Sequence, residues 1–421
     1  MKIKNLFKSH ISGDALVSVS LFLFVLLYHL PVTILIPEII RKPLLIAGLL
    51  LFLFGVAIKN LRYAFIFISV VIVEMVFYLL SWRVKLSFAS YLFPAFISAE
   101  FLTCAVMLLD HKITIVKSFL AFFMIVTFIT SVTTIIGLLK YPTAVRTLGQ
   151  IADEYNSYWQ RIYRTMNIAG WGLLFGMSFA TGTFLYLFKK KQKRLLMLVA
   201  IIADFICIVL SQLMFAILLT GLLLIIGIII NDKKGIMIRI IPIIVLILIL
   251  WLVREQILTW MYTLLSGSKF RMLSLRIKNL NDLLVNKDTS GDAGARFELY
   301  SMSLTSFLHH PLGRFFCGTE GVMKEIGFHS EFCDLIGTLG IFGVLLIIFL
   351  VILFWRRLRI ISYTYDKRYY ISMVGVFAIM FFINPIIPYP HIWLSALVVP
   401  LVAMNQINGL DKVINGKTLS N

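Results

Sequence analysis

Cysteine is scarce in this sequence and acid is in short supply. Only four cysteines occur in 421 residues, Cys104, Cys207, Cys317 and Cys333. None forms a Cys-x-x-Cys pair and two fall inside apolar runs, so neither a zinc site nor a disulfide framework is implied. Cys317 and Cys333 could meet on one side of a membrane, but Cys333 falls in a predicted helix start, which argues against a bridge. No His-Glu-x-x-His occurs, and His309 and His310 are adjacent rather than helix-spaced, so no metal centre is expected. The one acidic pair resembling a magnesium site is Asp153-Glu154. No cleavable leader is read at the N-terminus, because the apolar run after Lys2, Lys4 and Lys8 is too long and lacks a small-residue cleavage site.

Twenty Asp and Glu against 39 Lys and Arg leave a net charge of +19, which in a soluble protein would suggest a nucleic-acid partner. This chain, however, is 60% hydrophobic with a mean hydropathy of +0.95. Apolar runs of roughly twenty residues recur along it, each long enough to cross a hydrocarbon core of about 30 Å as a helix. Barrel strands would be half as long and would alternate. The fold class is therefore read as an all-α polytopic membrane protein, a single membrane domain over 1–421 with about twelve transmembrane helices. Spans are predicted near 15–37, 43–58, 61–82, 86–109, 113–139, 167–188, 195–211, 213–230, 236–254, 331–355, 369–387 and 391–406. The excess charge is then positive-inside bias, and no nucleic acid is expected.

The stretch 195–230 is too long for one crossing and is broken at Ser211-Gln212 into a hairpin. With that break, the clusters around Lys59, Lys112, Lys189, Lys233, Arg356 and Lys412 all fall on one side with the N-terminal lysines. Without it, one of the two largest clusters would lie outside. Both termini are read as cytoplasmic, in a cytoplasmic (inner) membrane. Two long outer segments remain, about 140–166 and 255–330, the larger a helical loop between spans nine and ten. Loops of that length are usually functional or disordered.

The 255–330 segment is too patterned for disorder. Phe270, Leu273, Ile277, Leu280 and Leu284 form a helical stripe opposite Arg271 and Lys278, which reads as a helix lying on the membrane surface. A second helix, capped by Ser290 or Asp292, carries Phe297, Tyr300, Leu304 and Phe307 and ends at His310-Pro311-Leu312-Gly313. Arg254, Arg271, Arg276, Arg296 and Arg314 gather here with His309, His310 and His329. They either hold an anionic ligand or meet lipid headgroups. Arg296 is the most specific, because a helix's first turn offers unpaired N–H groups and a favourable dipole beside a guanidinium that forks two phosphate oxygens. His329 stands where the loop returns to the bilayer. A neutral imidazole there can take a proton from an attacking hydroxyl, with Glu331 or Asp334 to orient it; the alternative is a polar helix cap. In 140–166, Ile151, Tyr155, Trp159 and Ile162 keep helical spacing and predict an interfacial helix, with sugar stacking by Trp159 or Tyr158 as the second reading.

Within the spans, Glu74, Glu100 and Asp204 are costly unless paired or hydrated, and they are the best argument for a transporter. Interhelical hydrogen bonding is favoured instead, since no matching base or Gly/Pro-broken helix pair marks a midplane site. Gly172 and Gly176, like Gly337, Gly340 and Gly343, are read as positions of close helix packing.

The chain resembles the O-antigen ligase and polymerase superfamily of bacterial membrane glycosyltransferases. Three features carry the likeness: the layout with its large loop between spans nine and ten, the run Gly294-Ala295-Arg296-Phe297-Glu298-Leu299-Tyr300 leading to His310-Pro311-Leu312-Gly313, and Gly327-Phe328-His329-Ser330-Glu331-Phe332 followed by Gly340-Ile341-Phe342-Gly343. The resemblance implies transfer of a glycan from a polyprenyl pyrophosphate donor to a hydroxyl acceptor on the outer face, with no metal, nucleotide sugar or other cofactor. Arg296 matches the family's pyrophosphate-binding arginine and His329 its general-base histidine. The sequence departs from the family between spans seven and eight, where an arginine often follows a serine but Leu210-Ser211-Gln212-Leu213-Met214 stands here. Arg271, Arg276 and Arg254, in that order, are then the candidates for a second phosphate ligand.

The expected activity is polymerisation of lipid-linked oligosaccharide repeat units into an O-antigen or capsule. A ligase moving polymer to lipid A core is the alternative, and a flippase or proton-coupled transporter the alternative of another class. Polymerase is preferred on the pattern His-Ser-x-Phe-x-Asp at 329–334 and the missing arginine after Ser211. Expected partners are the polyprenyl-pyrophosphate-linked oligosaccharide as donor and acceptor, membrane lipids, a chain-length regulator and a flippase.

Overall fold

A computed structural model describes residues 12–80, 88–149, 154–230, 252–267, 270–284, 292–315, 325–360 and 365–407. Among these the chain is all-helical. The first half runs through α1 (Gly13–His29), α2 (Glu38–Lys59), α3 (Leu61–Leu80), α4 (Phe88–Leu109), α5 (Ser118–Lys140), α6 (Ala144–Leu148), α7 (Glu154–Thr165) and α8 (Trp171–Lys189). The second half holds α9 (Arg194–Leu210), α10 (Met214–Ile229), α11 (Arg254–Ser266), α12 (Arg271–Leu284), α13 (Asp292–His309), α14 (Glu331–Leu339), α15 (Ile341–Ile360), α16 (Tyr365–Ile383) and α17 (Pro390–Ile407).

Glu38–Lys59, Leu92–Leu109, Ser118–Lys140, Trp171–Lys189, Ile341–Arg359 and Pro390–Ile407 are long and apolar enough to cross a bilayer; Gly13–His29 and Met214–Ile229 are shorter apolar helices. This is the architecture of a helical membrane protein, in which backbone polar groups are satisfied within each helix. In α4, α8 and α17, 83% of the span is buried, against 17% of α15, so the first three form the centre and the last the lipid-facing rim. Glycine sets that centre. A Cβ at Gly172 would come within 2.2 Å of the Tyr389 ring, and one at Gly176 within 3.0 Å of the His391 carbonyl oxygen.

The break in 195–230 falls where charge asks for it, with Gln212 in a left-handed turn (φ 57°) between α9 and α10. Other boundaries differ from expectation. The first helix stops at His29, and Pro31 opens a 3-10 turn over Pro31–Leu35. The predicted span 331–355 is two helices, separated at Gly340 with φ 61°. The span predicted at 369–387 ends at Ile383, ahead of Asn384-Pro385, where the residue before a proline is steered out of helical backbone. The span predicted at 236–254 lies almost wholly outside the described residues.

Two of the buried acids join helices. Asp204 of α9 accepts hydrogen bonds from Ser131 of α5 and Thr181 of α8, and Glu100 of α4 lies 2.8 Å from the Ser20 hydroxyl of α1. Glu74 of α3 is buried near Glu331.

Candidate functional site

The segments that carry the motifs lock together through glycine and backbone. α13 turns Ser303 and Ser306, not its aromatics, toward α14. Gly337 approaches so closely that a Cβ there would sit 2.5 Å from the Ser303 carbonyl oxygen, and one at Gly327 would sit 2.1 Å from that of Leu299. The His310-Pro311-Leu312-Gly313 turn docks on the Gly340 break. The Ile341 N–H donates to Pro311 O at 2.8 Å and the Arg314 N–H to Thr338 O at 2.9 Å. A Cβ on Gly340 would lie 2.2 Å from the Gly313 nitrogen. Phe297 and Leu308 of α13 are left facing outward, 65% and 74% exposed, an apolar surface suited to the bilayer boundary.

His329 sits on the turn entering α14 and its ring is exposed. Its Nδ1 is 3.0 Å from the Gly327 carbonyl, an acceptor, so of the two neutral tautomers the contact selects the one with the proton on Nδ1 and the lone pair on Nε2. The turn is held by Asp334, whose Oδ1 accepts the Phe328 N–H (3.1 Å) and the Ser303 hydroxyl (2.7 Å). Ser303 Oγ in turn accepts the Gly327 N–H at 2.9 Å. These bonds hold Phe328 at φ 56°, a backbone region that bulky residues avoid. The expectation that Glu331 or Asp334 orients the imidazole is therefore corrected. Both lie in the first turn of α14 and are buried, 0% and 1% exposed. Asp334 orients the turn, and Glu331 accepts the N–H groups of Ile386 and Ile387 at 2.8 and 2.9 Å. Ser330 is the cap, accepting the Cys333 N–H and donating to Phe382 O at 2.6 Å.

Arg296 reaches the same place from α13. Its Nη1 is 3.4 Å from Asn384 Oδ1, and it also hydrogen-bonds the Tyr300 hydroxyl, which itself donates to Ile383 O at 2.8 Å. The Glu331 N–H lies 3.3 Å from Asn384 O. Arginine and histidine are thus both tied to Phe382–Asn384, through Arg296 on one side and Ser330-Glu331 on the other. Burial raises the pKa of Tyr300 against the opposing pull of Arg296, keeping the phenol a neutral partner.

Of the three candidates for a second phosphate ligand, the structure brings Arg276 to Arg296. Its pKa is lowered by burial first and then by the charges of Arg146 and Arg296, so Arg276 lies within electrostatic reach of both. Arg146 of α6 places Nη1 3.0 Å from Met272 Sδ. Arg271 begins α12, and its side chain lies outside the described residues. Arg254 begins α11, which pairs antiparallel with α12 through Ser274 and Tyr262, so it stands toward the end of the hairpin away from Arg271.

The position of α12 is set by Gln212. Its Oε1 accepts the N–H groups of Met272 and Leu273 at 3.1 and 3.3 Å, capping the helix from another part of the chain. Gln212 thus fixes the helix that supplies Arg276. The stripe of α12 is helical as expected, and protein covers it. Leu273 and Ile277 pack with Leu258, Met261 and Tyr262 of α11 and Met214 of α10.

Arg314 is buried and engaged by Glu325 and by Ser306 Oγ at 3.2 Å, and His310 lies 3.5 Å from Glu325, which removes both from ligand duty. The hydrogen bond from Arg314 holds the Glu325 carboxyl below its usual range. In α7, Trp159 stacks on Tyr163 and meets Tyr141 rather than standing free, while Tyr158 is exposed. Asp153 and Cys317 lie outside the described residues. Asn384, Gln212 and Arg146 were not singled out as site residues from the sequence. The signals available were an Asn-Pro breaking an apolar run and a further arginine in the 140–166 loop.

The chain matches no family profile, no curated protein and no solved structure.

Proposed function

We propose that this chain is a metal-independent glycosyltransferase that joins polyprenyl-pyrophosphate-linked oligosaccharide repeat units into a surface polysaccharide. It would work on the outer face of the cytoplasmic membrane, with about twelve crossings and both termini inside. The observation that carries this reading is the common anchorage of His329 and of Arg296, with Arg276 and Arg146 beside it, on one short turn at a bundle end.

The arginines hold the donor's pyrophosphate, whose charge they neutralise as it leaves. The acceptor hydroxyl attacks the anomeric carbon, and its proton passes to Nε2 of His329. The bond between the anomeric carbon and the phosphate oxygen breaks, and the electron pair departs with polyprenyl pyrophosphate. One base and electrostatic stabilisation suffice for this chemistry.

The test is purified protein with a lipid-linked repeat unit, scored for longer glycans and released polyprenyl pyrophosphate. Product without the chain, or none with it, rejects the reading. Cells lacking the protein should carry a single repeat unit. Full-length polymer building up on polyprenyl pyrophosphate, with none reaching lipid A core, would replace polymerase by ligase. Orientation is tested by single cysteines: Thr147→Cys should react with an impermeant thiol reagent from outside, and Gln192→Cys should not.

A further inference from the structure

α17 starts beside the Phe382–Asn384 turn and runs 18 residues to Ile407, about 27 Å at helical rise and close to the thickness of a hydrocarbon core. At its far end, among α5, α9 and α17, lies a cavity of about 340 Å³. It has two kinds of wall. Leu120, Met124 and Met197 make the interior apolar, and Lys117 and Lys193 stand at the mouth. The rim residues Ile125 and Leu196 are 59% and 49% exposed, so the cavity opens sideways, on the face where lipid lies.

The neighbouring cations already have structural work. Lys189 Nζ caps the end of α10, reaching the carbonyls of Ile228 and Ile230 at 3.1 Å each. Lys190 lies over the Tyr186 ring and Arg194 over the Phe188 ring. Among the described residues, no hydrogen bond or ion pair engages the ammonium groups of Lys117 and Lys193. The backbone nonetheless holds Lys193 at φ 38°, a left-handed conformation that glycine would adopt more cheaply. Gln406, which also lines the cavity, ties α17 to the start of α5 by donating to the Lys117 carbonyl at 3.2 Å.

We propose that this cavity binds one anionic phospholipid of the leaflet opposite the arginine site. The phosphate sits between Lys117 and Lys193, and an acyl chain lies along Leu120 and Met124. Charge complementarity at the mouth and an apolar, laterally open interior specify this occupant. A lipid seated there bridges three helices.

Native mass spectrometry of the detergent-purified full chain, offered phosphatidylglycerol or phosphatidylcholine, tests the site. Wild type should retain one phosphatidylglycerol and no phosphatidylcholine. Lys117→Gln with Lys193→Gln should weaken retention about tenfold, as two surface lysines near a headgroup imply. Ala121→Trp, at an exposed lining position, should displace the lipid by filling the cavity with the charge untouched. Lys112→Gln with Arg356→Gln, away from the mouth, should leave retention unchanged. Equal retention of both lipids, wild-type retention in the first two variants, or equal loss in the last would overturn the proposal.

Discussion

Arg296 leans on an amide oxygen and a phenol, whereas Asp204 is closed in by hydroxyls from two other helices. The hydrogen-bond partners of Arg296 are neutral and its charge reaches Arg276, so a second guanidinium adds to the positive field a ligand would meet. At Asp204 hydroxyls from two helices meet both carboxylate oxygens, at Glu100 the Ser20 hydroxyl meets one, and each bond joins one helix to another. Charge presented and charge enclosed are different designs. The first suits an enzyme that holds a polyanion, and the second suits a packed bundle.

The comparison breaks most sharply on His329→Ala and Arg296→Ala. Each is expected to lower transfer about a hundredfold or more while the protein stays in the membrane at normal abundance. Near-normal product from His329→Ala, measured with the lipid-linked repeat unit, would remove the base. Unchanged donor affinity in Arg296→Ala would remove the pyrophosphate ligand.

Asp334→Asn comes next. It leaves size unchanged but weakens the acceptor that holds the Phe328 N–H and the Ser303 hydroxyl, so transfer should fall about tenfold with donor affinity intact. A change in donor affinity instead would mean that the turn and the arginines are less separable than their contacts suggest. Gln212→Ala should act on the other half, loosening the start of α12 and weakening donor binding about fivefold through Arg276, with the maximal rate held. If the maximal rate falls and affinity does not, Arg276 is not a ligand.

The smallest effect on chemistry is expected at the enclosed acids. Asp204→Asn and Glu100→Gln keep hydrogen-bonding capacity and should transfer glycan within about twofold of wild type, at a stability cost of about 1 kcal/mol read by thermal unfolding in detergent. Loss of all function in either, with an intact fold and with His329→Ala active, would favour the transporter.

What could be read in the sequence follows from what leaves a local trace. Apolar length marks crossings, and the break at Ser211-Gln212 was visible because charge on either side required it. The interruption at Gly340 leaves no such trace, since one glycine in an apolar run reads as packing, which it also is. The stripe on α12 was legible as a helix but not as to its neighbour, because lipid and α11 demand the same residues. Arg296 and His329 stood out by type and position. Asn384, 88 residues from Arg296, did not, since their contact exists only once α13 and α16 are folded together. Glu331 and Asp334 misled by proximity: near His329 in the chain, they are turned away from it by the helix they start.

The sharp turn at Gly340 leaves all of α14 but Phe332 buried in protein and hands α15 to the lipid. A continuous helix would act as a lever, carrying any tilt forced on it by a thicker or thinner bilayer straight into the turn that bears His329. With the joint at Gly340, α15 can tilt while α14 stays clamped against α13, so the turn bearing His329, the proposed base, is mechanically insulated from the membrane around it. Transfer rates in reconstituted bilayers of short-chain and long-chain lipids should accordingly stay close to one another. A steep dependence on chain length would show that the joint transmits the tilt.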